Sequence, residues 1–216
     1  MVRNAVYRNA VRRYGVEFVG TFFLVLTIAL VVAPGHAGPL APLAIGTALV
    51  GLIFAGGHIS GAHYNPAVTI AFRLRRRCST ADMVAYWVAQ GLAAAAAAAV
   101  AGYLLPAAHG PAVARSTGPL VAAELLFTFL LCWVILNCAI AKGTEGNPFY
   151  GLAIGFTVTG GIWAVGPISG AVFNPAVALG LCLMDLTPWG QLGPYVASQV
   201  VGALAAVAVF VATAED

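Results

Sequence analysis

Charged side chains are nearly absent from this chain. Asp, Glu, Lys and Arg make up 8% of its 216 residues, where an ordinary soluble domain carries about 25%. Hydrophobic residues make up 61%, and the mean hydropathy is +0.93. A water-exposed globular surface cannot be built from this composition, which excludes soluble enzymes and soluble binding modules. The net charge of +3 is no nucleic-acid signal, because the arginines cluster at the ends of apolar runs. Cysteine is sparse and unpatterned. Cys78, Cys132, Cys138 and Cys182 lack metal-binding or redox spacing and read as packing residues without a disulfide. No Ser/His/Asp set, metal-ligand cluster or phosphate-binding loop assembles, so neither an enzyme nor a cofactor is expected.

What the chain does have is long apolar runs. They fall at about 14–33, 40–57, 81–104, 119–141, 149–165 and 190–212, each near the roughly 20 residues that cross a bilayer as helix. The first is long enough to span and is flanked by arginines, so it reads as a span and not as a cleavable leader. Two shorter runs, about 66–74 and 175–183, are too short to cross and read as half-helices. The basic residues fix sidedness. Arg3, Arg8, Arg12 and Arg13 precede the first span, Arg73, Arg75, Arg76 and Arg77 follow the first half-helix, and Lys142 lies between spans four and five. A cytoplasmic N-terminus puts these nine of the ten basic residues inside, as the positive-inside rule requires. Arg115, between spans three and four, is then the one outside.

A polar motif interrupts the apolar chain twice. Ser60-Gly61-Ala62-His63-Tyr64-Asn65-Pro66-Ala67-Val68 recurs as Ser169-Gly170-Ala171-Val172-Phe173-Asn174-Pro175-Ala176-Val177, and the two asparagines are 109 residues apart. Each Asn-Pro has the form of a helix N-cap followed by proline at the first helical position. Other landmarks repeat as well. Glu17 opens Glu-Phe-Val-Gly-Thr-Phe and Glu124 opens Glu-Leu-Leu-Phe-Thr-Phe, while Gln90 and Gln199 lie 109 apart in spans three and six. Repeats over about 14–104 and 119–212 each contain three spans, an odd number, so the second copy is inverted. A duplicated interruption of this kind points to a transport site at the repeat interface. The half-helices then meet N-terminus to N-terminus near the midplane. Loops over Gly56–Asn65 and Gly166–Asn174 expose carbonyl acceptors, and the amides of Asn65 and Asn174 can donate to a passing oxygen. Non-helical backbone is tolerated at this depth only where it lines a cavity or is buried in protein. The converging positive dipole ends oppose cations. The run Ala93–Ala99 reads as a close-packing helix face of small residues.

These features strongly resemble the aquaporin (major intrinsic protein) superfamily over residues 14–212. The resemblance implies an all-α membrane protein, a right-handed bundle of six transmembrane helices plus two re-entrant half-helices, formed as one channel domain. It implies a homotetramer with one pore per subunit, and hydrogen bonds from the half-helix loops to Glu17 and Glu124, with Gln90 and Gln199 in support. The narrow-ring positions of the family fall on Ile45, Ile162, Ala171 and Val177, where water-selective members carry Arg at the last. The ring resembles that of plant tonoplast intrinsic proteins, several of which lack the Arg and pass ammonia, urea or hydrogen peroxide besides water. His109 looks like an additional ring member used by some of those, and Arg115 is a second candidate to fold over the mouth. His58 sits where the family has a pore-lining His, and His63 reads as a loop brace. Ala178 stands where many glycerol facilitators have Asp, which lowers the expectation of glycerol.

Blander readings stand beside these: Asn65 and Asn174 as loop caps, Glu17 and Glu124 as interfacial caps or proton relays, the ring residues as packing. The leading function is a passive channel for water and small neutral solutes (ammonia, urea, hydrogen peroxide, with glycerol less favoured) that excludes protons and ions. The alternatives are a poorly water-permeable ammonia or gas facilitator, and a non-conducting structural protein of the same fold. The expected setting is a cell (inner or plasma) membrane with both termini cytoplasmic, the partners being lipid, the solutes and sister subunits, with no nucleic acid.

Overall fold

The computed structural model describes residues 2–33 and 37–213, and the backbone without side chains at 2–8 and 107. Arg3 and Arg8 of the N-terminal basic group thus lie outside the described side chains. The described chain is helical: α1 (Val2–Val32), α2 (Ala41–Ser60), α3 (Pro66–Leu74), α4 (Thr80–Leu104), α5 (Thr117–Ala139), α6 (Tyr150–Ser169), α7 (Pro175–Leu183) and α8 (Leu192–Thr213), with short 3-10 turns in the connections. Six of them are long and apolar enough to cross a membrane. The other two, α3 and α7, have nine residues each and stop short of a crossing.

The half-helices start where the sequence chemistry places a start. The Asn65 and Asn174 backbones are extended, and their side-chain oxygens accept from Ala67 N and Ala176 N at 2.9 Å. Pro66 and Pro175 occupy the first helical position, where a missing N–H costs nothing. The preceding loops are shorter than the sequence suggested. Residues 56–60 and 166–169 are helical, and only 61–65 and 170–174 leave the helix. The i→i−4 ladder runs on until Gly61 N and Gly170 N bond Gly57 O and Gly166 O, at 3.1 and 2.9 Å. Those glycines then turn left-handed, with φ of +91° and +87°, a conformation that favours glycine. Pro167 is accommodated inside α6.

Small residues let the helices approach. Gly46 of α2 and Gly155 of α6 are 109 apart in sequence, and they face each other where these helices cross. A Cβ on Gly46 would fall 2.7 Å from the Gly155 carbonyl, and one on Gly155 would fall 2.6 Å from the Gly46 carbonyl. The alanine run of α4 buries Ala93, Ala94, Ala97 and Ala98 along one face, in the manner of small-residue interfaces between spans. Gly20 and Gly56 make room for the Tyr64 ring, whose hydroxyl donates to Leu52 O at 3.0 Å. Polarity is inverted relative to a soluble domain. Phe23, Leu92, Leu126 and Trp163 are exposed, whereas Glu17, Gln90, Glu124 and Gln199 are fully buried. The outside of the bundle suits hydrocarbon, and the polar interior marks function.

The crossing of α2 and α6 supplies a stability test. Gly46→Ala places a methyl 1.8 Å from Thr159 Oγ1 as well as against backbone, so it should cost about 1–3 kcal/mol through overpacking. Gly51→Ala, on the same helix with nothing within 4 Å, should cost nothing. Melting temperatures of the two variants in detergent check this.

Candidate functional site

Two buried carboxylates hold the loops before the half-helices. Glu17 Oε1 accepts from Ser60 Oγ at 2.7 Å and His63 N at 2.9 Å, and Oε2 accepts from Tyr64 N at 2.7 Å and Gln90 Nε2 at 2.9 Å. Glu124 repeats the pattern. Its Oε1 accepts from Ser169 Oγ at 2.7 Å and Val172 N at 2.9 Å, and its Oε2 accepts from Phe173 N at 2.7 Å and Gln199 Nε2 at 2.8 Å. Four donors per carboxylate occupy all its good acceptor directions, an arrangement that braces the loop and leaves no lone pair aimed at the cavity. Ser60 and Ser169 relay the hold, each accepting from the N–H two residues on at 3.0 Å. Tyr86 and Tyr195 donate their hydroxyls to the Ser60 and Ser169 carbonyls.

The braced backbone is strained. Ala62, Tyr64, Ala171 and Phe173 have φ between +48° and +53°, a conformation that costs non-glycine residues on the order of 1–3 kcal/mol each. The carboxylates compensate by gathering successive N–H groups on one side. In a trans peptide the carbonyl points opposite its N–H, so the Ala62, His63, Ala171 and Val172 carbonyls turn away from the glutamates. All four residues line a cavity of about 840 Å³ that passes both asparagines.

At the centre the two loops clasp each other. Asn65 Nδ2 donates to Phe173 O, and Asn174 Nδ2 donates to Tyr64 O, both at 2.8 Å. An amide NH2 carries two hydrogens, so each asparagine keeps one donor beyond this clasp. Both asparagines line the cavity. Ala67 and Ala176 are buried behind them. The N-termini of α3 and α7, each equivalent to roughly half a positive charge, meet here.

Ile45, Ile162, Ala171 and Val177 line the same cavity. So do four residues not anticipated from the sequence, Ile154, Ile53, Ala62 and Val68. Each is the 109-residue partner of one of the first four, with the same side chain. Adding the motif offset to the first set would have found them. His58 lines the cavity. His63 packs on Phe72 and shares a hydrogen bond with Thr69 Oγ1 at 3.1 Å. His109 departs from the expectation of an added ring member. Its ring lies against α4, with Nε2 3.3 Å from Ala98 O, in a slot that Gly102 opens because it has no Cβ. Arg115 does reach the cavity. The four cysteines are free thiols, and burial pushes Cys78, in the connection after α3, up to about 11.

Comparison with known proteins agrees with this geometry. The Major intrinsic protein family profile matches residues 41–162 and 116–216. Aquaporin NIP3-1 of Zea mays is 35% identical over 210 residues, covering 92% of this chain and 69% of its own. Aquaporin AqpM of Methanothermobacter thermautotrophicus is 34% identical over 229 residues, covering 88% and 92%. The X-ray structure of the aquaglyceroporin from Plasmodium falciparum superposes with a TM-score of 0.79 at 22% identity, over 93% of this chain and 95% of that one, which shows a common fold. The chain belongs to the major intrinsic protein family and is a multi-pass membrane channel protein, not an enzyme.

Removing one brace should be costly. Glu124→Ala strands the N–H groups of Val172 and Phe173 and the Ser169 hydroxyl, and should destabilise the fold by about 3–5 kcal/mol, the usual cost of deleting one partner of a buried charged network. Loss of monodisperse protein in detergent, with Leu126→Ala on the outer face as a neutral control, is the measurement.

Proposed function

We propose that this member of the major intrinsic protein family is a passive channel for water and small neutral solutes, with ammonia, urea and hydrogen peroxide favoured and glycerol less so. The observation that carries the reading is the cavity running past two spare asparagine donors, where two half-helix N-termini converge. A solute oxygen passing the centre can accept from Asn65 and Asn174 and donate to the loop carbonyls, so its lost hydration is replaced. At the asparagines a cation meets converging positive dipole ends and amide hydrogens. Ile45, Ile162, Ala171 and Val177 act as the selectivity ring, and with no Arg at Val177 the ring is wider and less polar than in a strict water channel. The protein works as a homotetramer with one pore per subunit, in a cell (inner or plasma) membrane, with its termini cytoplasmic.

The mirrored apolar rings favour one second reading. Two constrictions built of Ile, Ile, Ala and Val can dewet, which makes ammonia or a gas the main cargo and water a poor one. Stopped-flow osmotic shrinkage of proteoliposomes, set beside ammonia, urea and glycerol uptake, separates the two. Fast water flow with urea uptake supports the multi-solute channel, and slow water flow with fast ammonia uptake supports the second reading. A wild-type proton current comparable to the water flow would sink both.

Val177→Arg fills the ring with a charged, bulky side chain. Urea uptake should fall about tenfold, equivalent to roughly 1.4 kcal/mol of added barrier, while water flow is retained. Unchanged urea uptake in liposomes would remove these four residues from the selectivity role.

A further inference from the structure

The two ends of the cavity carry the same apolar ring, yet they differ in charge. Near the Ser60 end of the loop, Arg13 donates from Nε to the Tyr86 hydroxyl at 3.1 Å and from Nη1 to Asp82 at 3.3 Å. Tyr86 in turn donates to Ser60 O at 2.7 Å. The 109-residue partners of Tyr86 and Ser60 are Tyr195 and Ser169, and they keep the same bond. Arg115 brings a guanidinium beside the Tyr195 hydroxyl, as Arg13 does beside Tyr86. The partner of Asp82, however, is Gln191. Among the described residues no carboxylate lies within 4 Å of Arg115, whereas Arg13 has one.

Arg115 is held in place from several directions. Val113 N donates to Leu186 O at 3.2 Å, just beyond α7. Arg115 N donates to Gln191 Oε1 at 3.3 Å, and Gln191 Nε2 donates back to Arg115 O. Arg115 Nη1 donates to Val113 O at 3.2 Å. The guanidinium lies over Gly170, where a Cβ would come within 3.0 Å of Nη2 and 3.1 Å of Cζ. At the matching Gly61, that space belongs to the His63 ring. The second repeat has Val172 at the position of His63, and the guanidinium arrives instead from the connection between α4 and α5. It lines the cavity beside Gly170 and Ala171, next to the apolar ring.

We propose that Arg115 is the charged member of the constriction that Ile45, Ile162, Ala171 and Val177 leave apolar. Its unpaired guanidinium repels cations entering from that end and offers N–H donors to a solute oxygen. The inference rests on the channel reading above. It assigns the charge to a loop residue, outside the position after the second Asn-Pro-Ala, and it makes Gln191 a specificity determinant, because a carboxylate there would neutralise Arg115 as Asp82 neutralises Arg13.

The test uses proteoliposomes of the full chain carrying wild type, Arg115→Ala, Arg115→Lys or Gln191→Glu. Osmotic water flow and uptake of methylammonium are measured at mildly acid pH, where that probe is fully protonated. Uptake relative to water flow should rise about tenfold in Arg115→Ala and in Gln191→Glu and stay at the wild-type level in Arg115→Lys, since charge repulsion at short range in a partly dehydrated mouth is of that order. Gln191→Glu retains the arginine but loses the bond from Nε2 to Arg115 O, so Gln191→Met, which loses it without adding a charge, is run beside it and should stay at the wild-type ratio. An unchanged ratio in Gln191→Glu overturns the assignment, whether or not Arg115→Ala folds. Wild-type water and solute flow no faster than in protein-free vesicles would instead refute the channel reading, and the inference with it.

Discussion

Two glutamates buried in an otherwise apolar bundle hold the rest of this structure in place. Burying a carboxylate is unfavourable unless its acceptor capacity is filled. Glu17 and Glu124 are each filled by four donors, two of them from the loop that precedes a half-helix and a third from the last residue of the helix before that loop. The loop in turn has left-handed residues at Ala62, Tyr64, Ala171 and Phe173, which it would not adopt unaided. The hydrogen bonds between glutamate and loop thus offset both the cost of burial and the backbone strain. What results is a set of carbonyls turned away from the glutamates and a pair of asparagines clasped across the centre. The site is preorganised, because no part of it can relax without stranding a buried donor or acceptor.

The duplication supplies the second constraint. Contacts at the centre occur in reciprocal pairs, Asn65 with Phe173 O and Asn174 with Tyr64 O. Gly46 and Gly155 face each other in the same reciprocal way. Such pairing is what an approximate two-fold relation between the repeats produces, and it makes chemical symmetry of the pore the default. Eight cavity-lining side chains, two sets of Ile, Ile, Ala and Val, follow from it.

Much of this was legible in the sequence, for physical reasons that can be named. Spans are visible because hydrocarbon demands about 20 apolar residues. The half-helix starts are visible because Asn followed by Pro satisfies two separate terminus rules at once. Glu17 and Glu124 stand out because an acidic residue within a span has to be bound by something. The helix ends at Ser60 and Ser169 were less legible, since glycine-rich stretches suggested an earlier break. A glycine breaks a helix only where its φ turns positive, and of Gly56, Gly57 and Gly61 only the last does so. The seat of His109 was not legible, because spacing alone cannot show that Gly102 leaves a slot for its ring on α4. Ile53, Ala62, Val68 and Ile154 were not anticipated because the pattern carried over from the family concerned one set only.

Function then depends on where the repeats differ. The Ile, Ile, Ala and Val lining is shared by both repeats, so by itself it cannot distinguish one end of the cavity from the other. Direction-dependent chemistry has to come from positions that break the 109-residue correspondence. His58 is matched by Pro167, His63 by Val172, and Asp82 by Gln191. At one end, histidines and a neutralised arginine surround the loop. At the other, an apolar loop receives an arginine that has no carboxylate partner among the described residues. Losing Asp at Gln191 and His at Val172 are separate changes with one combined effect, because the first leaves the guanidinium charged and the second leaves it room over Gly170. An arginine placed after the second Asn-Pro-Ala would occupy the ring itself. One carried by the connection between α4 and α5 comes in over Gly170 instead, where the role proposed for it is to repel charge from beside the four apolar side chains.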